Sequence, residues 1–215
     1  YSKSKSIIFK KKHNLKYFNS VALRGNITNI QSSDISLYLG SNFHFVIYPV
    51  NQNKESNFIS IIKKELVDKK MYSDKSFLQF IAKDLYKKTS IKLEGKLKNI
   101  KSFPIYISKK LEISDNKNIF FVGDALFSMP PSFAQGASQA IESCKELFEQ
   151  IHNNGDDYYR KRADKLNSIN WRSKLNYFSF HSSNLIFNLL RNFILKLLVN
   201  NKKFLDIYLG KIYKD

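Results

Sequence analysis

The stretch Asn118–Gln150, NIFFVGDALFSMPPSFAQGASQAIESCKELFEQ, decides how this 215-residue chain is understood. It opens with four apolar residues, Ile119-Phe120-Phe121-Val122, without polar alternation. Such a short run, bounded by polar residues, predicts a strand buried on both faces of a parallel sheet. The run stops at Gly123-Asp124. Open α/β sheets bind ligands beyond the carboxyl ends of their strands, so an acid at that point is placed to meet one. A stiff turn, Met129-Pro130-Pro131, comes next. From about Gln135-Gly136 the apolar residues Ala137, Ala140, Ile141, Cys144, Leu147, Phe148 and Ile151 recur at steps of three and four. That spacing predicts a helix with one buried stripe, its other face carrying Ser138, Gln139, Glu142, Lys145, Glu146 and Glu149.

An acid at a strand end, a rigid turn and a helix start with small residues therefore meet. The first amides of a helix carry partial positive charge and attract anions. Ala134, Gly136, Ala137 and Ser138 leave room for a flat ligand to approach the backbone. The residues alone leave two readings open. One is a pocket for a hydroxyl-bearing ligand with partial negative charge. The other is an ordinary strand–turn–helix with a capping Asp.

The stretch resembles the second flavin motif of the FAD-dependent aromatic-ring monooxygenases, the para-hydroxybenzoate hydroxylase-like group that includes salicylate and ubiquinone-pathway hydroxylases. The motif's Gly-Asp-Ala stands here as Gly123-Asp124-Ala125 and its proline as Pro131. Its Gly-Gln-Gly stands as Ala134-Gln135-Gly136, followed by Ala137 and Ser138. The chain departs from the motif at Phe127 for His, Ala134 for Gly and Ser138 for Asn. The resemblance implies that Asp124, after Gly123, accepts a hydrogen bond from the ribityl chain of FAD. It also implies that Pro131 shapes the loop beside the flavin ring, and that the helix start from Gln135 through Gly136 and Ala137 to Ser138 faces the pyrimidine edge of the isoalloxazine. Reduced flavin is negative at that edge, which a helix N-terminus stabilises.

Weaker matches precede it: Ala22-Leu23-Arg24-Gly25, then Tyr38-Leu39-Gly40, His44, Tyr48-Pro49 and Asn57-Phe58. His44 and Tyr48 are four apart, so a strand puts them on one face. In the branch acting on simple phenols and pyridinols, the resemblance implies that such a pair lines the substrate site. There it orients or deprotonates a hydroxyl, because a phenolate is the better nucleophile. The residues alone also allow a surface His and a core Tyr.

The rest of the chain sets bounds. A hydrophobic share of 43% argues for a packed core. One Cys and four scattered His give no disulfide framework and no metal-ligand spacing. The net charge of +18 comes almost wholly from Lys, with Arg only at Arg24, Arg160, Arg162, Arg172 and Arg191. Arg is the preferred reader of bases and phosphates, so its scarcity argues against nucleic-acid binding. The opening KSIIFKKKH is no signal-peptide core, and no apolar run is long enough to span a membrane.

Taken in order, short apolar runs predict strands at Ser6–Phe9, Tyr17–Leu23, Ser36–Leu39, Phe43–Val50 and Asn57–Lys63, with a hairpin turn at Gly40-Ser41-Asn42. Phe77 to Leu85 predicts a helix capped by Asp74 or Ser76. Phe103-Pro104-Ile105-Tyr106-Ile107 predicts an extended return strand. Asp156-Asp157 opens a long helix through Tyr159, Ala163, Leu166 and Ile169. A further amphipathic helix is expected over Asn184–Val199, packed on the flavin domain or, alternatively, lying on a membrane.

The seven Gly residues contain no G-x-G-x-x-G. The chain is therefore expected to correspond to the C-terminal half of such an enzyme, its partner being the missing N-terminal half with the dinucleotide-binding motif. The expected fold is α+β, part of an α/β flavin-binding fold. Its parts are a substrate-domain sheet and helix (1–102), the end of the FAD-binding domain (103–151) and C-terminal helices (152–215). The activity that the resemblance implies is cytoplasmic hydroxylation of a small aromatic substrate. It would use dioxygen and NADH or NADPH through an FAD C4a-hydroperoxide. A flavin oxidoreductase without oxygen transfer and a basic membrane-surface protein are the alternatives.

Overall fold

The computed structural model describes residues 15–28, 33–51, 55–63, 83, 87, 93, 95–116, 118–153, 155 and 157–213. The expected strand at Ser6–Phe9 lies outside them, as does nearly all of the expected helix from Phe77 to Leu85. The fold is α+β. Five strands, β1 (Leu15–Ile27), β2 (Ser36–Gly40), β3 (Phe43–Val50), β4 (Glu55–Lys63) and β5 (Leu97–Ser108), form one sheet in the order β2-β3-β4-β1-β5. The pairs β2–β3, β3–β4 and β4–β1 are antiparallel. Helices α1 (Gly123–Leu126), α2 (Gly136–His152), α3 (Tyr158–Phe180), α4 (Leu185–Val199) and α5 (Lys202–Tyr213) follow.

Alternation builds the sheet. Phe43, Phe45 and Ile47 on β3 are buried on one face, opposite Ile62, Ser60 and Phe58 of β4. Val21 and Leu23 of β1 continue that face, and the Phe45 and Phe58 rings stack 5.2 Å apart. The hairpin turn is Ser41-Asn42, with Asn42 at φ 64 and Gly40 paired with Phe43. A left-handed residue in a two-residue loop matches the strand twist, and Asn tolerates it.

The chain divides into two units. One holds residues 15–18, 106–177 and 190–213, and the other holds residues 19–105 and 178–189. The division falls within β5, between Ile105 and Tyr106.

Three elements differ from expectation. Ile119–Val122 is not a strand; Val122 is extended, but the segment pairs with no strand among the described residues. A strand is defined by its ladder, and the Phe121 carbonyl instead accepts from the Tyr158 hydroxyl at 3.0 Å. Helix α2 forms where predicted but is turned about its axis, so that Ala140 and Leu147 of the stripe stay half-buried while the rest of it faces out. Gln139 and Ser143 are buried, whereas Ile141, Phe148 and Ile151 are 73%, 68% and 61% exposed. Helix α5 was not foreseen, although Asn201 caps it by accepting from the Phe204 amide.

Gly25 is where β1 admits β5. A Cβ there would sit 2.5 Å from the Lys98 carbonyl oxygen and 2.9 Å from the Phe58 ring. Neither neighbour can yield, since one is backbone and the other is core. Gly25→Ala should cost about 1–3 kcal/mol, the usual range for overpacking. The urea midpoint of the variant measures it, and an unchanged midpoint would show that the strands can part freely.

Candidate functional site

Within the first unit, Gly123 sets the geometry. Its φ is +55, and a Cβ there would lie 2.9 Å from the Ala140 side chain. Glycine is required twice, for a left-handed backbone and for contact between α1 and α2. That contact puts Asp124, in the first turn of α1, beside the early turns of α2. Asp124 is exposed. Leu126 and Phe127 turn inward and pack with Phe121, Tyr158 and Leu166. Phe127, at the motif's His position, is thus a core side chain here.

The loop to α2 is tied down. Pro130 is fully buried, and Pro131 opens a 3-10 turn, Pro131–Phe133. Ala134 then takes φ 54, ψ 26. The position that holds glycine in the motif is left-handed in this chain, and alanine holds it under strain. Gln135 precedes the first helical turn and is buried, while Gly136, Ala137 and Ser138 are exposed. The first amide to find its partner within the helix is that of Gln139, donating to the Gln135 carbonyl at 2.9 Å. The side chain of Gln135, at the N-cap, makes no capping hydrogen bond. A Cβ on Gly136 would meet nothing within 4 Å. An exposed carboxylate on a short helix packed against α2, and a helix start with small exposed side chains, suit a ligand that carries both hydroxyls and negative charge.

What fixes the other side of α2 was not read from the sequence. Arg162 of α3 is 0% exposed. Its guanidinium donates to the Gln139 side-chain oxygen at 2.7 Å and to Glu146 at 3.2 Å, and it lies 3.6 Å from Glu142. Lys165 also pairs with Glu142. A buried guanidinium demands acceptors, so Gln139, Glu142 and Glu146 of α2 turn towards it and Ile141, Phe148 and Ile151 are left outside. The signal was present but faint: Arg162 occupies the same stripe of α3 as Tyr158, Leu166 and Ile169.

The second unit holds the other expected residues. His44 and Tyr48 share a face of β3, about 13 Å apart at the ordinary strand rise. His44 is buried, its Nδ1 3.2 Å from Nε2 of His181, with the Phe180 ring edge-on to it. That same Nε2 lies 3.1 Å from the Ile61 carbonyl oxygen. A carbonyl only accepts, so His181 carries its proton on Nε2, and Nδ1 of His44 is an acceptor. Burial, then the neighbouring His181, depress the His44 pKa to about 3. An imidazole engaged in this way is a weak base, which counts against its taking a proton from a substrate. Tyr48 is different. It is half-buried and lines a cleft of about 250 Å³ with Arg24, Asn26, Asn57, Asn99 and Lys101. Asn99 donates to Asn26 at 3.1 Å and Asn26 to Asn57 at 2.8 Å, a polar row across three strands. The Arg24 guanidinium sits 4.7 Å from the centre of the Phe103 ring. Among the described residues no cluster of His, Cys, Asp or Glu could hold a metal ion.

Two outcomes follow. In the unfolded chain His44 returns to a pKa near 6.5, so the unfolded state binds the extra proton between pH 6.5 and about 3. Its contribution to stability is complete above pH 6.5 and is lost as the pH falls towards 3, by at most about 1.4 kcal/mol per pH unit. Denaturant midpoints at neutral and mildly acidic pH should converge less for the native chain than for His44→Leu; equal pH slopes would contradict the assignment. Ala134→Gly should raise stability by about 0.5–1 kcal/mol by relieving the left-handed strain. A lowered midpoint would show that no such strain exists.

No family model matches this sequence, and no curated protein matches it. Solved structures do match its fold. Klebsiella pneumoniae HpxO, complexed with FAD and uric acid, aligns over 97% of this chain and 56% of its own, at 13% identity and TM-score 0.68. A salicylate hydroxylase substrate complex aligns over 95% of this chain and 59% of its own, at 15% identity and TM-score 0.60. Pseudomonas aeruginosa pqsL, a probable FAD-dependent monooxygenase, aligns over 83% of this chain and 53% of its own, at 13% identity and TM-score 0.61. The chain thus spans little more than half the length of each of these structures. At this level of identity the likeness is one of architecture: the chain has the fold of part of the FAD-dependent monooxygenases.

Proposed function

We propose that this chain is the C-terminal half of an FAD-dependent monooxygenase that hydroxylates a small aromatic substrate. The observation that supports the reading is Gly123, whose contact with Ala140 packs the helix bearing Asp124 against α2 in a fold shared with FAD-bound structures. Asp124 would accept hydrogen bonds from the ribityl hydroxyls. The amides from Gly136 to Ser138 would stabilise negative charge at the pyrimidine edge of the ring, and Pro131 would hold the loop beside it. FAD, when bound and reduced by NADH or NADPH, would supply the activation of dioxygen. Tyr48 would orient a substrate hydroxyl within its cleft. His44 would hold β3 in place through His181 instead of serving as the base.

Asp124 is exposed, so Asp124→Ala should leave folding intact. It should weaken FAD binding about tenfold or more, since a hydrogen bond to a charged group contributes about 1.5–3 kcal/mol. Quenching of flavin fluorescence measures this in the polypeptide extended to the length of its structural neighbours. Undiminished binding by the variant would remove Asp124 from the site. Turnover under isotopically labelled dioxygen should place one labelled oxygen in the product. Turnover without label would assign the chain to flavin oxidoreductases that transfer no oxygen.

A further inference from the structure

Helix α4 turns its apolar side to water. None of its residues is buried. Ile186, Leu189, Leu190, Phe193, Ile194 and Leu197 recur at steps of three and four and form one exposed stripe, with Ile186 at 78% and Phe193 at 62%. The residues that are partly shielded, Phe187, Asn188, Arg191 and Leu198, lie on the opposite side. The helix is therefore held by its mixed face, and its uniform apolar face is unpartnered among the described residues. At 15 residues it is also shorter than a bilayer span, and no helix among the described residues is long and apolar enough to cross a membrane.

The charge along the chain near the stripe is mostly positive. From Lys174 to Leu205 it carries Lys174, Arg191, Lys196, Lys202 and Lys203 and no Asp or Glu, and Asp206 is the first acid after them. Lys196 flanks the stripe, and Lys202 and Lys203 are exposed just beyond its end. An apolar stripe beside cations fits a surface that offers hydrocarbon below and negative charge at its rim. A second copy of this chain would bring the same +18 charge and be repelled. A partner protein would need an apolar groove edged with acids. An anionic lipid interface has both properties without any requirement of shape.

We propose that α4 is an interfacial helix that seats this chain on an anionic lipid surface. Its stripe from Ile186 to Leu197 enters the boundary between headgroups and acyl chains, and Lys196, Lys202 and Lys203 meet the headgroups. The inference rests on α4 and its surroundings alone and is independent of flavin chemistry.

Cosedimentation with vesicles tests it. The chain should bind vesicles of phosphatidylcholine mixed with phosphatidylglycerol and bind phosphatidylcholine alone far less. Salt should weaken binding several-fold by screening. Phe193→Asp should lower it about tenfold or more, because it puts a charge into the apolar face. Lys196→Glu with Lys203→Glu should lower it several-fold on anionic vesicles only. Ile35→Asp, a comparably exposed apolar position outside α4, should change nothing. Circular dichroism confirms that each variant is folded. Failure to bind anionic vesicles, or binding that Phe193→Asp leaves intact, overturns the proposal. So does a dimer that Phe193→Asp dissolves in the absence of lipid, which would give the stripe to a second copy.

Discussion

The candidate site depends on one close approach, that of Gly123 to Ala140. Two short residues let a four-residue helix lie directly against a long one. Any larger side chain at Gly123 would push α1, and Asp124 with it, off α2. The left-handed backbone at Gly123 has a second effect: it turns the chain sharply enough that Asp124 faces solvent while Leu126 goes to the core. Exposure of the acid and burial of its neighbour are thus two results of one backbone choice. The loop that follows repeats the device at Ala134, where alanine accepts the strained conformation in place of glycine.

Charge, not apolar area, orients the helices behind this site. A buried guanidinium cannot be left without acceptors, because an unpaired interior charge costs several kcal/mol, on the order of 3–5 when one partner of a pair is removed. Arg162 therefore gathers Gln139, Glu142 and Glu146, and α2 must present its polar side to α3. The tyrosine hydroxyls add to this polar interior. Tyr158 donates a hydrogen bond to the Phe121 carbonyl, and burial raises its phenol pKa to about 12, so it remains a donor at any ordinary pH.

Local patterns were legible where neighbours in sequence are also neighbours in space. The hairpin at Gly40-Ser41-Asn42, the alternation of β3 and β4, and the spans of α3 and α4 follow from period and turn chemistry, which need no distant partner. What failed needed one. The run Ile119–Val122 has the composition of a buried strand, yet a strand exists only where another lies beside it. The apolar stripe of α2 had the right period, but the side that faces inward was chosen by Arg162, one helix further on. His44 was read as a candidate base on a strand face. Its partner, 137 residues away, could not be known from spacing. The resemblance to a flavin motif could be read because its parts are local: a glycine, an acid and a helix start within about four helical turns of chain. Asn201 was a missed opportunity, since an Asn ahead of Lys-Lys-Phe-Leu is an ordinary helix-start signal.

The outward stripe of α2 has a consequence for how this polypeptide behaves in solution. Ile141, Phe148 and Ile151 stand in water on the same unit as an extended segment that pairs with no strand among the described residues. Adhesive surface of that kind draws identical molecules together, and the large excess of lysine keeps them apart. The balance is colloidal, and it is set by ionic strength. Dilute electrolyte preserves the repulsion and keeps the chain dispersed. Concentrated electrolyte shortens the reach of the charges without weakening the apolar attraction, so clumping should begin there with every helix still intact.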